Sequence, residues 1–475
     1  MLRRGWFPLG IVGAMVLAVT LLGSLGLRSS NPRRALRIQL AEPAKDVDRL
    51  RHLGYELITV NREAGWADVI TSGYELEETG LVTLREENLD EALGPDTNYH
   101  TPDEVAAELK SYADRFPRLA TLKNVGKSTE GRDVWALKIT TANYVDLVPK
   151  PVVLFNAMHH AREVMSTEIA LDTIDYLLTR FETDDKVRHW LEATEIWVMP
   201  MLNVDGSNRV WTSDNMWRKN TKGGYGVDIN RNYPWQWGSC NGSSGSRSDD
   251  TFRGPSAGSE VETQLMVKLV GELKPTIDIS YHSYGEMVIY PYGCDGERTP
   301  QADIVATLGK EMATKLKSES GSGNYRAGTS WELLYAVDGG DVDWMYGAHH
   351  VLAYVIEVNA DFGSNGFQPP FSRRQGTVER LRPAWGFLLD RLDGAGIHGR
   401  VKDRMGTPIT DVTITLASQT DRTLAEQAYE VNAEGVFHIL VKPGTYTLTF
   451  KALAGRTFTK TLTVEGRPRP LTVIM

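Results

Sequence analysis

The sequence predicts an α/β protein whose main sheet is covered by helices on both faces, with a small α/β segment before it and a β-sandwich after it. Three observations carry this reading. Between residues 97 and 393, short apolar runs at 152–156, 195–200, 276–281 and 353–358 alternate with helical patterns, as a sheet buried on both faces requires. Residues 35–96 read strand, helix, strand, strand. After Gly394-Ala395-Gly396 the apolar period drops to two through residues 394–475. Length agrees, since 475 residues at about 150 per domain give roughly three units. With 41% hydrophobic and 24% charged residues, the chain is neither disordered nor collagen-like nor a polytopic membrane protein. Its 52 basic against 61 acidic residues leave −9, so no electrostatic case exists for binding nucleic acid.

Taken in order, residues 1–34 read as an export signal or a membrane anchor. Arg3 and Arg4 precede an uncharged run over 5–27, and Arg28 follows it. Ser24 and Gly26 offer a small-x-small cleavage site, yet the run is long enough to span a bilayer uncut. The expected location is secreted, periplasmic or cell-surface, with membrane contact only through this segment. Lipid attachment at the signal boundary is excluded, because the first cysteine is Cys240. Strands at 35–40, 55–60 and 67–71 and a helix at 46–53 then form the small module, which fits a pro-segment, an accessory unit or a structural appendage. The next unit opens on a helix with Thr101 as N-cap and Pro102 at its first position. Ala106, Leu109, Tyr112, Ala113 and Phe116 make its apolar stripe. In the last unit, 413–416, 436–440, 445–450 and 457–464 alternate as strands, with Lys442-Pro443-Gly444 as a turn.

Only ten histidines exist, so each is a candidate ligand in turn. His159-His160-Ala161-Arg162-Glu163 follows the strand ending near 156 and opens a helix running to about Arg180. His160 and Glu163, at i and i+3, project to one side. A catalytic zinc needs one more distant ligand and an open position, and His282 at the end of the strand 276–281 supplies the ligand. An H-x-x-E pair alone recurs by chance. His159 is out of phase, so pairing with Arg162 in a structural role is expected. His349-His350 reads as an exposed loop.

The companions give the pair its meaning: Met216-Trp217-Arg218-Lys219, Val227-Asp228-Ile229-Asn230-Arg231-Asn232, Tyr281-His282-Ser283-Tyr284, Tyr335 and Ile356-Glu357. In these motifs residues 99–393 resemble the zinc carboxypeptidases of the carboxypeptidase A/B family, particularly the bacterial carboxypeptidase T-like enzymes. The resemblance implies a mixed sheet and one zinc ion held by His160, Glu163 and His282, with Asp228 orienting the first histidine. It implies Arg218 as the group that polarises the scissile carbonyl, Asn230 and Arg231 as the grip on the terminal carboxylate, and Glu357 as general base. Tyr335 corresponds to a tyrosine that closes over the substrate, and Ser283, Tyr284 and Val342 complete the substrate site. A further family arginine is Asn215 here. The last unit, with Gly396-Ile397-His398-Gly399-Arg400-Val401, resembles a transthyretin-like module and is expected to be structural or to dock a partner.

The chemistry is consistent on its own terms. An exopeptidase must recognise a free carboxylate, which a planar guanidinium does bidentately. The expected partners are therefore peptide or protein C-termini. A peptidoglycan stem peptide and a non-catalytic peptide-binding role are the alternatives. The family resemblance further implies that the pocket for the last side chain has Val342, just before Asp343-Trp344, as its floor, with Gly293 and Ser330 adding room, so hydrophobic C-termini are expected. Asp341 is the one carboxylate read as able to admit basic ones. Cys240 and Cys294, both in loops beside the cleft, either bridge or remain two thiols.

Overall fold

The computed structural model describes residues 32–71, 80–142, 150–300, 302–421, 426–453 and 455–475. The apolar run at 5–27 lies outside them. Among the described residues no helix is long and apolar enough to cross a membrane.

Continuous apolar sequence places Val152–Ala157, Glu195–Met199, Ile277–Ser283 and Leu352–Val358 side by side and parallel at the centre of an eight-stranded sheet. Both faces of these strands are buried, which is why their residues do not alternate. The sheet is mixed because its margins are antiparallel. Asp133–Ile139 and Ala120–Lys127 extend it on one side, and Met287–Ile289 pairs antiparallel to Leu352–Val358 on the other. These marginal strands, with Arg326–Gly328, are absent from the sequence reading, since half-exposed or three-residue strands leave little apolar signal.

Helices Val164–Arg180 and Arg374–Arg391 pack together on the sheet, with Trp385 fully buried against Phe155. The expected first helix forms over Pro102–Arg115, capped reciprocally by Thr101 and Glu104.

Arg34–Gln39, Glu56–Asn61, Trp66–Thr71 and Val82–Asn88 make a four-stranded sheet whose core includes Leu36, Ile38, Leu50 and Val60, with helix Pro43–His52 on it. Behind the main sheet, two sheets of three and four strands enclose a separate core around Ile414, Leu448 and Phe450. Gly396–Lys402, Gln427–Glu430 and Pro468–Ile474 join the strands expected there. His349 and His350 are not an exposed loop. His349 ends helix Asp341–His349, His350 follows in the left-handed conformation, and both are partly buried against Glu430 and Tyr429 of the sandwich.

Candidate active site

Three parallel strands carry the site to one rim of the sheet, where α/β sheets keep their chemistry. The chain leaves Val152–Ala157 through Met158, at φ +62°, and residues 159–163 form a turn before helix Val164–Arg180. His160 and Glu163 therefore converge through this strand-to-helix turn. His160 Nδ1 lies 2.7 Å from Glu163 Oε1, and His282 Nδ1 lies 2.9 Å from Glu163 Oε2. The two imidazole nitrogens are 3.2 Å apart, and all three side chains are buried. Two ring nitrogens converging on one carboxylate in a dry setting suit a borderline cation, and the donor set matches catalytic zinc.

Asp228 stands behind this group, its Oδ1 3.2 Å from His160 Nε2. Its Oδ2 accepts from Arg218 Nε at 3.1 Å and Nη2 at 2.9 Å. Burial works against the charge, but Arg218 and His160 hold the Asp228 carboxyl well below the usual range. Glu357 sits opposite His282 in the strand register and lines the same cleft. Burial pushes its carboxyl upward, against the pull of His282.

Asp228 also caps the short turn Ile229–Arg231 by accepting from Asn230 N at 3.0 Å. Arg231 is directed by three acceptors: Gly242 O, Asn230 O and, at 3.2 Å from Nη2, the Tyr335 hydroxyl. Asn230 Oδ1 accepts from Asp341 N at 2.8 Å. Ser283 N reaches Glu163 Oε2 at 3.2 Å. Arg218, Asn230, Arg231, Ser283, Tyr284, Tyr335 and Val342 all border the cleft, and His282 reaches its lining residues His160 and Glu163.

His159 does not pair with Arg162. Its Nε2 is 2.8 Å from the Tyr233 hydroxyl and 3.7 Å from Asp341 Oδ2, and burial lowers its pKa to about 4. His159, His282 and Asp341 form a second set with metal-binding spacing, sharing His282 with the first. His160 and Glu163 both border the cleft, whereas of the second set only Asp341 does, so the set with His160 and Glu163 better suits the open position a catalytic ion needs.

Asp341 lines the cleft too, with one oxygen accepting from the N–H of Val342 and the other 3.7 Å from His159 Nε2. Asp343 is the carboxylate beside Val342, Ile289, Val355 and Ser330. It accepts from Gly293 N at 2.8 Å, and burial pushes it up to about 7. The spacing of two carboxylates around Val342 was the available signal for it. Cys240 and Cys294 are joined, so the free-thiol alternative does not apply.

The N-terminal module reaches into this cleft, which no local pattern announced. Leu57 and Ile58 line it. Glu56 pairs with Arg162 and lies 3.4 Å from Arg218 Nη1. The Tyr284 hydroxyl contacts Asp68 Oδ2 at 3.4 Å, and Asn215, in place of the arginine, donates to Ala92 O in the connection between the two units.

Comparison with known proteins agrees with the geometry. A zinc carboxypeptidase family model matches residues 105–384, and a carboxypeptidase regulatory-like domain model matches residues 396–475. Carboxypeptidase O of Bos taurus is 28% identical over 337 residues, spanning 68% of this chain and 88% of its own length. A zinc carboxypeptidase of Saccharothrix mutabilis subsp. capreolus is 35% identical over 293 residues, 58% of this chain and 64% of its own. The crystal structure of carboxypeptidase A from Helicoverpa armigera superposes with a TM-score of 0.65 at 25% identity, covering 76% of this chain and 96% of that one. Because the family match runs through more than half of the chain and includes His160, Glu163, His282 and Glu357, the chain belongs to the zinc carboxypeptidase family and is a metallocarboxypeptidase.

Proposed function

We propose that this enzyme is exported and removes single residues, preferably hydrophobic ones, from the free C-termini of peptides or proteins. The observation that carries this reading is the convergence of His160, Glu163, His282 and Glu357 with Arg231 and Asn230 on one cleft. His160, Glu163 and His282 would hold the zinc. When bound, the ion supplies a Lewis acid that lowers the pKa of a water and polarises a carbonyl.

The chain's own groups do the rest. The Arg231 guanidinium takes the terminal carboxylate through two parallel N–H bonds, and the Asn230 amide fixes its rotation. Tyr335, already hydrogen-bonded to Arg231, closes that end of the cleft. Glu357 accepts a proton from the attacking water and returns it to the leaving amine. Arg218, kept charged by Asp228 despite its burial, faces the oxygen that becomes negative. Val342, Ile289 and Val355 favour an apolar last side chain, because a buried ammonium or guanidinium needs a charged partner.

Residues 35–96 act in this reading as an inhibitory pro-segment, supported by Ile58 in the cleft and Glu56 beside Arg218. The Cys240–Cys294 bond supports an oxidising compartment. The C-terminal sandwich is a structural or partner-docking unit.

Release of C-terminal amino acids from blocked dipeptides, together with metal analysis, tests the assignment. Glu357→Gln should keep zinc and lose turnover by about 100-fold or more. His282→Ala should lose both. Undiminished zinc in the His282 variant, or near-normal turnover in the Glu357 variant, would overturn the roles.

A further inference from the structure

In the proposed function Arg231 grips the terminal carboxylate, and any role for the groups that support Arg231 rests on that reading. A guanidinium binds a carboxylate bidentately only if its plane is held in place beforehand. Part of the support for Arg231 is adjacent in sequence, through Nη1 to Asn230 O at 2.7 Å. The other part is not, since Nε donates to Gly242 O at 3.2 Å. Gly242 lies in a loop without regular structure, so something else must fix its carbonyl.

Asp338 does so. This carboxylate is fully buried, and no ion pair reaches it among the described residues. Instead its Oδ2 accepts from Cys240 N at 3.1 Å and Gly242 N at 2.9 Å, and its Oδ1 accepts from the Ser243 hydroxyl. Three neutral donors converge on one carboxylate, which spans the loop like a staple. Two glycines allow the approach. A Cβ on Gly242 would collide with Asp338 N and the Val337 backbone. A Cβ on Gly339, at φ +65°, would collide with Arg231 O. Arg231, the 240–243 loop and the 337–340 segment are thus in backbone contact.

The disulfide fixes the same loop from the other side. Cys240 is joined to Cys294, which follows Gly293. Gly293 O accepts from Val337 N at 3.0 Å, and Gly293 N donates to Asp343 in the side-chain pocket.

We infer that Asp338 and the Cys240–Cys294 disulfide are positioning devices for Arg231: they hold the Gly242 carbonyl that orients the guanidinium. Capture of the substrate carboxylate is therefore built to work in the oxidised chain. Neither group touches substrate in this scheme. Their loss weakens binding of the carboxylate and leaves the hydrolytic groups in place.

The test is steady-state kinetics on the full chain with a blocked dipeptide ending in phenylalanine, plus metal analysis. Asp338→Ala should raise KM about tenfold and change kcat less than about threefold, with zinc retained. Asp338→Asn should bring KM most of the way back, because its amide oxygen still accepts both N–H groups. Cys240→Ser combined with Cys294→Ser should raise KM in the same direction, independently of whether the Asp338→Ala chain folds. Unchanged KM in these variants overturns the inference. So does a fall in kcat or zinc content with KM unmoved, which would mark the loop as merely structural. Arg231→Ala separates the two claims. If it raises KM while the Asp338 and cysteine variants do not, only the positioning role fails; if Arg231→Ala itself leaves KM unmoved, the assignment of Arg231 fails first.

Discussion

At the scale of single residues, the proposed preference for hydrophobic C-termini makes Asp343, buried beside Val342, the residue to test. Burial raises its pKa to about 7, so it is mostly neutral below that pH and ionised above it. A neutral carboxyl leaves the pocket suited to phenylalanine or leucine, whereas an ionised one offers a counter-charge to arginine or lysine. The ratio of kcat/KM for substrates ending in Arg to those ending in Phe should therefore rise by up to about tenfold between about pH 6 and about pH 8. Asp343→Asn should flatten that profile. The same shift has a consequence for folding. The folded chain holds a proton that the unfolded chain releases near pH 4, so this residue's contribution is present at low pH and is lost as pH rises through about 7.

At the scale of elements, the strand Glu56–Asn61 serves two surfaces at once. Leu57 and Val60 pack in the core of the N-terminal sheet, while Ile58 faces the cleft. Around it, Arg62 donates to Leu334 O at 3.0 Å and Arg326 donates to Val60 O at 2.9 Å, while the Arg51 guanidinium lies 5.7 Å from the centre of the Tyr335 ring. The module thus bears on the segment that carries Tyr335. Ile58→Asp puts a charge into this apolar contact, which Ala35 and Ile70 share, and lies outside the core around Leu36, Ile38 and Leu50. Placing a carboxylate there costs several kcal/mol, so activity of the intact chain on a small substrate should rise at least about tenfold with no proteolysis. Unaltered activity would mean that the strand does not block substrate. The helix Arg374–Arg391 likewise serves two partners: its middle buries Trp385 under the sheet, and its last residue reaches the sandwich.

At the scale of the whole molecule, apolar and polar contacts together join the three units: Ala35, Ile70 and Leu89 share a cluster with Tyr284, Phe362 and Phe367, and Leu440 of the sandwich packs into the main core. Arg391 is the clearest link to the C-terminal sandwich, donating to Ala395 O at 3.0 Å and Val441 O at 2.9 Å. Lys274 and His349 meet Glu430 nearby. Arg391→Ala should leave turnover unchanged. It should cost about 1–3 kcal/mol at this junction, visible by calorimetry as earlier unfolding of the sandwich. A single unshifted transition would show that the junction carries no such energy.

The sequence by itself determined whatever depends on neighbours in the chain. Apolar runs specified the four central strands, the Thr101–Glu104 pair specified a helix start, and the ordered motifs around His160, Arg218, Arg231, His282 and Glu357 pointed to one cleft. These signals are legible because strand burial, capping and motif spacing act over a few residues. Tertiary structure alone decided the rest. It put Asp343 against Gly293, set Asp341 beside His159, laid Glu56 against Arg162 and Arg218, and brought Asp338 to the loop beneath Arg231. Each of these is a polar side chain whose partner is remote in the chain. Which partner it meets depends on how sheets and loops pack, because a buried polar group must take whatever donor or acceptor the packing brings within reach.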